Sequence, residues 1–337
     1  MIRLSTWAPN RPERAFRIGV GEAGLLPIMV SLLIAVLVIF EPRFATIQSA
    51  INILRNASFL MIVAVGQMLV MIVGGLDMSI GATMALTSVA SVLVMTAVAG
   101  ALPDAPNLAI LTGITAGLGC GLAVGVINGL CVALMRVPPF MVTLGMASVV
   151  GGVALMLTSG VPVYGLPQSF INEVGRALWL GLPTAFYVAL AIVVGLALGL
   201  RFTRPGVRTL AVGGNRQAAA VSGVPTGVYL LGAYVACSLL AAVASLLLTA
   251  QIGSGQGAIG DQLTLESIAA AVIAGVSLRG GAGRPELVAL GAIFLLVLTN
   301  AMDLMQVDSK IQSIWLGVFV VLAVVLEALG RGVSRRG

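Results

Sequence analysis

The chain has 337 residues, 59% of them hydrophobic and only 9% charged, with a net charge of +6. Soluble domains carry about 25% charged residues, so the composition excludes a soluble enzyme or binding module and indicates one integral membrane domain. The arginines stand singly between apolar blocks rather than along one face, which excludes a basic stripe for nucleic acid.

Residues 1–24 carry Arg3, Arg11, Arg14 and Arg17 against Glu13 and Glu22. The apolar run 25–40 ends at Glu41-Pro42 with no small-residue cleavage site. It reads as a retained first helix. Ile47–Asn56 is more polar and reads as interfacial. A second span over 56–74 stops at Gly74-Gly75-Leu76-Asp77-Met78-Ser79-Ile80-Gly81, and a third covers 80–99. The fourth, 108–135, ends at Arg136-Val137-Pro138-Pro139, where proline suits the first turn of a fifth helix over 139–158. A linker over 159–182 holds two prolines and one short surface helix, and a sixth span follows over 183–200.

Residues 201–227 form the longest polar interruption of the second half, with Arg201, Arg204, Arg208 and Arg216 and no acid. Spans over 228–250, 265–278 (short), 286–304 and 311–329 complete the count at ten, with a tail over 330–337. A span needs roughly 20 apolar residues. Lys and Arg near span ends are retained on the cytoplasmic side. With the N-terminus inside, only Arg43, Arg55, Arg176 and Lys310 of the 18 fall outside, leaving 14 within. That bias sets both termini and the 201–227 loop in the cytoplasm.

The sequence also suggests two similar halves. Met71–Gly81 and Ala271–Gly281 share a glycine pattern in which Gly75 and Gly81 recur as Gly275 and Gly281, 200 residues on. Doubled membrane folds place the path between their halves.

Three constellations stand out. The first is the break at Gly74–Gly81. An aspartate at a span centre costs about 2.5–3.5 kcal/mol, and Asp77 escapes most of that by sitting in a turn. Two readings stay open. Asp77 caps the next helix through N–H groups near Ser79 and Ile80, or Asp77 and Ser79, with Asn128 from the fourth span, line a gate or path. Packing is the plainer role for Asn128. The second is Gly113, Gly117, Gly121, Gly125 and Gly129, one every fourth residue. They share a helix face and allow close helix approach, which places the fourth span at the bundle centre. The third is Gly213-Gly214-Asn215, a turn before about two turns of Ala-rich helix containing Arg216, Ala218 and Ala219, stopped by Gly223-Val224-Pro225. It reads as a rigid knob for a soluble partner; an interfacial connector anchored by arginines is the alternative. Glu266 reads as an acid at a helix start.

Absent residues narrow the chemistry. There is no G-x-x-x-x-G-K-[ST] and a single lysine, Lys310, so this chain binds no ATP through a P-loop. Without histidine there is no H-E-x-x-H metal site and no Ser-His-Asp triad. Cys120, Cys131 and Cys237 fall within spans, odd in number, and read as small packing residues. Asp77 alone among the acids lies near a span interior, which counts against a stand-alone ion-coupled carrier.

These blocks resemble the ribose-type permease subunits of bacterial ATP-binding-cassette importers. The resemblance rests on V-G-G-L-D-M-S-I-G at 73–81, on N-G-L at 128–130 with P-P-F-M-V-T-L-G at 138–145, and on A-V-G-G-N-R-Q-A-A-A-V-S-G at 211–223 followed by E-S-I-A-A-A-V-I-A-G-V-S-L-R-G-G-A-G at 266–283. It runs from about residue 25 to 329. It implies a multi-pass bacterial inner-membrane protein that imports a monosaccharide or related polyol by alternating access. The implied partners are a cytoplasmic ATPase that binds the ATP, a periplasmic solute-binding protein and a second permease, the same or different. The ATPase would dock on Gly213, Gly214, Asn215, Arg216, Ala218, Ala219 and Gly223. Arg284-Pro285-Glu286 departs from the small residues usual there and bears on how the ninth span starts.

Overall fold

A computed structural model of the chain describes residues 25–315 together with 317, 318 and 321. The segment 1–24, the tail 330–337 and most of the tenth expected span lie outside those residues.

The described chain is helical almost throughout. Helix α1 is Leu25–Phe40, and a 3-10 turn over Pro42–Ala45 leads to α2, Ile47–Ile72. In that turn Glu41 accepts from the Arg43 guanidinium at 2.8 Å, and this bond holds the Glu41 carboxyl below its ordinary pKa. Then come α3 Ile80–Ala101, α4 Pro106–Ala133 and α5 Pro139–Thr158. A π-helical segment over Phe170–Arg176 and a hairpin of β1 (Leu178–Trp179) with β2 (Leu182–Pro183) precede α6, Thr184–Phe202. Two short helices follow, α7 Arg204–Gly214 and α8 Arg216–Val221. The remainder is α9 Thr226–Ile252, α10 Asp261–Ile273 and α11 Pro285–Leu304.

Seven of these, α2–α6, α9 and α11, are long and apolar enough to cross a membrane. Helix α1, at 16 residues, and α10, at 13, are shorter than a full crossing.

The centre belongs to α2. Every residue from Ala57 to Ile72 is buried. A helix that is apolar all round is a core helix, and α6, α9, α10 and α11 all pack on it. This corrects the placing of the fourth span at the centre: 78% of the most apolar stretch of α2 is buried, against 28% for α4. The glycine stripe of α4 nonetheless does what small residues do. A Cβ on Gly113 would meet Met95 and the Ser91 carbonyl of α3, whereas Cβ atoms on Gly121 and Gly125 would meet Ser238 and Val235 of α9 at 2.9 and 2.8 Å. The stripe seats α4 against two neighbours.

Three further details refine the sequence reading. Ile47–Asn56 is the first part of α2 and starts at Thr46, whose side chain accepts from the Ser49 N–H. The 170–176 segment is the short helix expected in this linker; Asn172, Glu173 and Arg176 are exposed, whereas Phe170 and Gly175 are buried and a Cβ on Gly175 would strike the Ala250 carbonyl of α9. At α11, Arg284 and Glu286 pair at 2.8 Å around Pro285 in the first turn, so the departure there starts a regular helix.

Candidate functional site

Two constellations named from the sequence lie end to end in the fold, joined by glycines.

The first is the α7–α8 element. Thr203 accepts from the Gly206 N–H at 3.2 Å and caps α7, with Pro205 in the first turn. Arginine and glycine density make this stretch read as loop, yet it buries Gly206 and Val212 on one side. Asn215 then caps α8 by accepting from the Ala218 N–H at 2.9 Å. The helix is closed by Gly223 at φ +79°, with Val224 N–H bonded to the Ala219 carbonyl at 3.0 Å. The expected short Ala-rich helix and its stop are therefore present, whereas Gly213 and Gly214, read as part of a turn, are the last residues of α7. Ala219 faces inward and is buried, whereas Arg216 and Ala218 are exposed and Val221 is 85% exposed. A rigid helix thus offers small and apolar groups outward.

Gly213 is where α7 meets the rest. A Cβ added there would fall on the Ile72 carbonyl, the last of α2, and lie 2.6 Å from the Gly281 nitrogen. That carbonyl accepts from the Gly281 N–H at 2.8 Å. A Cβ on Gly280 would sit 2.8 Å from the Ile72 oxygen, 2.9 Å from the Gly213 oxygen and 3.1 Å from the Gly74 nitrogen. The end of α2, the end of α7 and the 277–282 loop therefore touch backbone to backbone, which only glycine permits at these distances.

Gly74 and Gly275 give the two breaks the same form. Each has positive φ, 81° and 80°, directly after its helix. Gly75 N–H bonds to the Val70 carbonyl, and Val276 N–H to that of Ala271. These are the wide closing bonds of a Schellman end. By backbone role Gly74 corresponds to Gly275, one residue away from the pairing of Gly75 with Gly275 read from sequence.

The second constellation starts three residues beyond Gly74. Asp77 Oδ1 accepts from the Ser79 N–H at 2.8 Å and from the Ser79 hydroxyl at 2.6 Å. Ser79 Oγ in turn accepts from the Asn128 amide at 2.9 Å. Asp77, Ser79 and Asn128 are all 0% exposed. Asp77 is the one charged side chain buried to that degree among the described residues. Thr143 of α5 donates to the Leu76 carbonyl at 3.2 Å, and the Gly81 N–H donates to Thr264 Oγ1 of α10 at 2.9 Å. The turn is thereby tied to α4, α5 and α10.

Thr143 and Thr264 escaped the sequence reading. Isolated threonines in apolar helices form no motif, and their partners lie 67 and 183 residues away. The other oxygen of Asp77 and the Asn128 carbonyl oxygen have no hydrogen-bond partner among the described residues. The arrangement is a latch: it fixes the start of α3 to three neighbours, in a fully buried place, through one carboxylate oxygen of Asp77. The three thiols, Cys120, Cys131 and Cys237, form no disulfide among the described residues, and that of Cys237 lies beside Asp77.

Comparison with known proteins is consistent across the chain. The family described as branched-chain amino acid transport system, permease component, matches residues 49–329. The ribose import permease protein of Escherichia coli (strain K12) is 33% identical over 312 residues, 91% of this chain and 93% of the relative. That of Bacillus subtilis (strain 168) is 34% identical over 300 residues, 88% of this chain and 89% of the relative. The L-arabinose transport system permease protein of Escherichia coli (strain K12) is 29% identical over 331 residues, 97% of each chain. No solved structure matches the chain.

Proposed function

The chain belongs to this permease family, and we propose that it is the membrane subunit through which an ATP-binding-cassette importer passes a monosaccharide, or a related small polyol, across the bacterial inner membrane. The family description names branched-chain amino acids, whereas the relatives matched along nearly their whole length are named for ribose and L-arabinose. The full-length likeness favours the sugar. The chain does no bond chemistry. It alternates between openings to the two sides, and a separate ATPase supplies the work.

The observation that carries this reading is the α7–α8 element: a capped, rigid pair of helices, exposed on one side and set on the Ile72–Gly281 joint on the other. We assign Gly214, Asn215, Arg216, Ala218 and Gly223 to ATPase docking on the cytoplasmic face, with Gly213 and Ala219, which face inward, holding that surface in place. Asp77, Ser79 and Asn128 are the gate element. Force on α7 would reach them through Gly213, the end of α2 and Gly74. The remaining partners are a periplasmic solute-binding protein and a second permease copy or homologue. Residues 1–24 and 330–337 are cytoplasmic in this reading.

Ala218 offers the cleanest test, because it is exposed while Ala219 is buried and an acid there would damage the helix itself. Ala218→Asp should lower co-purification with the ATPase at least about tenfold, the scale of a disrupted interface anchor, with membrane insertion unchanged. A variant that assembles and transports like the parent removes the docking assignment.

A further inference from the structure

A cleft of about 690 Å³ opens beside the Gly213 joint, between the link after α4, the α7–α8 turn and the start of α9. Three charged side chains line it, Arg136, Arg216 and Arg279, and no carboxylate does. They come from three separate segments: the 134–138 link, the first residue of α8 and the loop after α10. All three are exposed, and none takes part in an ion pair among the described residues. Arg136 is held at φ +56°, a left-handed conformation that non-glycine residues adopt at a cost. Such residues cluster at ligand clamps. The starts of α5 and α9 also line the cleft, at Pro139 and at Thr226-Gly227, and helix starts favour negative charge.

Three guanidinium groups around one concavity, without a counter-charge on its wall, are matched by one compact multivalent anion. A carboxylate offers two oxygens in one plane. A phosphate offers three around a centre and a charge near −2, so it can meet several planar forks at once. The cleft is far larger than an inorganic phosphate needs, and the floor of Gly74, Gly75 and Gly213 leaves backbone accessible.

We propose that this cleft binds a phosphate-bearing group, a phosphate ester or diphosphate, between Arg136, Arg216 and Arg279. The same chemistry is presented by a soluble phosphate ester and by a lipid headgroup that ends in a phosphate monoester, as in phosphatidic acid. Either would tie α8 to the loop that reaches the Ile72 carbonyl. The cleft shares Gly213, Gly214, Asn215 and Arg216 with the element assigned to ATPase docking, but the binding itself needs neither the ATPase nor a solute.

The test uses the full chain in nanodiscs of phosphatidylcholine, titrated with inorganic pyrophosphate by calorimetry. Saturable binding at one site per chain is expected. The pair Arg216→Gln and Arg279→Gln should weaken it at least about tenfold, as loss of two charge-assisted contacts would. The pair Arg201→Gln and Arg204→Gln removes the same charge away from the cleft lining and should leave it within about twofold, since surface charge alone is worth little. Arg136→Gln, on the opposite wall, should weaken binding by itself, which keeps the test decisive if the double variant folds poorly. Repeating the titration with phosphatidic acid, a lipid phosphate monoester, in the disc separates the sources. Competition identifies the headgroup as occupant, and unchanged affinity identifies a soluble ester. Absence of saturable binding, or equal loss in both double variants, overturns the proposal.

Discussion

Replacing Gly213 by valine is expected to leave no measurable transport. Its first side-chain carbon would coincide with the Ile72 carbonyl oxygen, which already accepts the Gly281 N–H at 2.8 Å. Neither group is a flexible side chain that can swing aside. Helix α7 must retreat, or the bond to Gly281 must break. Overpacking of this kind costs about 1–3 kcal/mol, and an orphaned buried backbone group costs about as much again. The retreat would also separate the element assigned to docking from the end of α2. Gly232→Ala in α9 is the control, because nothing lies within 4 Å of a Cβ there and the residue is outside the docking element. Membrane level, melting temperature in detergent and solute uptake should be close to the parent for Gly232→Ala, with uptake lost for Gly213→Val. Parental uptake by Gly213→Val would show that the joint transmits nothing.

The second large effect is at Asp77. Alanine there removes the acceptor of both the Ser79 N–H and the Ser79 hydroxyl, which are fully buried. Each buried donor left unpaired costs about 1–3 kcal/mol. Ser79 is also the partner that orients the Asn128 amide, so the start of α3 loses its tie to α4 as well. A total of about 2–5 kcal/mol is a large part of a typical stability of about 5–15 kcal/mol. Asp77→Ala should therefore cut the yield of folded protein severely. Asparagine keeps the accepting oxygen, so Asp77→Asn should fold and transport at a rate near that of the parent. Folding and uptake measured on the two variants separate cap from charge. Equal loss of uptake in both, with Asp77→Asn well folded, would mean that the negative charge itself is needed.

Where the chain stops and starts its helices was legible in sequence, because caps are local. Asn215 and Gly223 frame α8, Pro139 starts α5, and Gly74 ends α2, each through residues within a few positions. Helix α7 was not legible. Its R-P-G-V-R opening and terminal Gly-Gly have poor helix propensity, and it is held by Gly206 packing on Leu200 and by Gly213 at Ile72. The central place of α2 was equally hidden. Its residues are no more apolar than those of α4, and only the packing of four later helices makes it the core. The stripe on α4 announced close approach without saying to what. The latch was half visible: Asp77 and Ser79 are neighbours in sequence, whereas Thr143 and Thr264 reach the same turn from distant helices.

Reconstitution in sealed vesicles bears most directly on the account, in which this polypeptide is a conduit moved by nucleotide hydrolysis elsewhere. With the chain alone, neither a proton nor a sodium gradient should drive accumulation of labelled ribose or L-arabinose. With the ATPase and the solute-binding protein added, uptake of the solute carried by that binding protein should become concentrative and stop when ATP is withheld. Accumulation by the chain alone, sustained by an ion gradient without ATP, would contradict it.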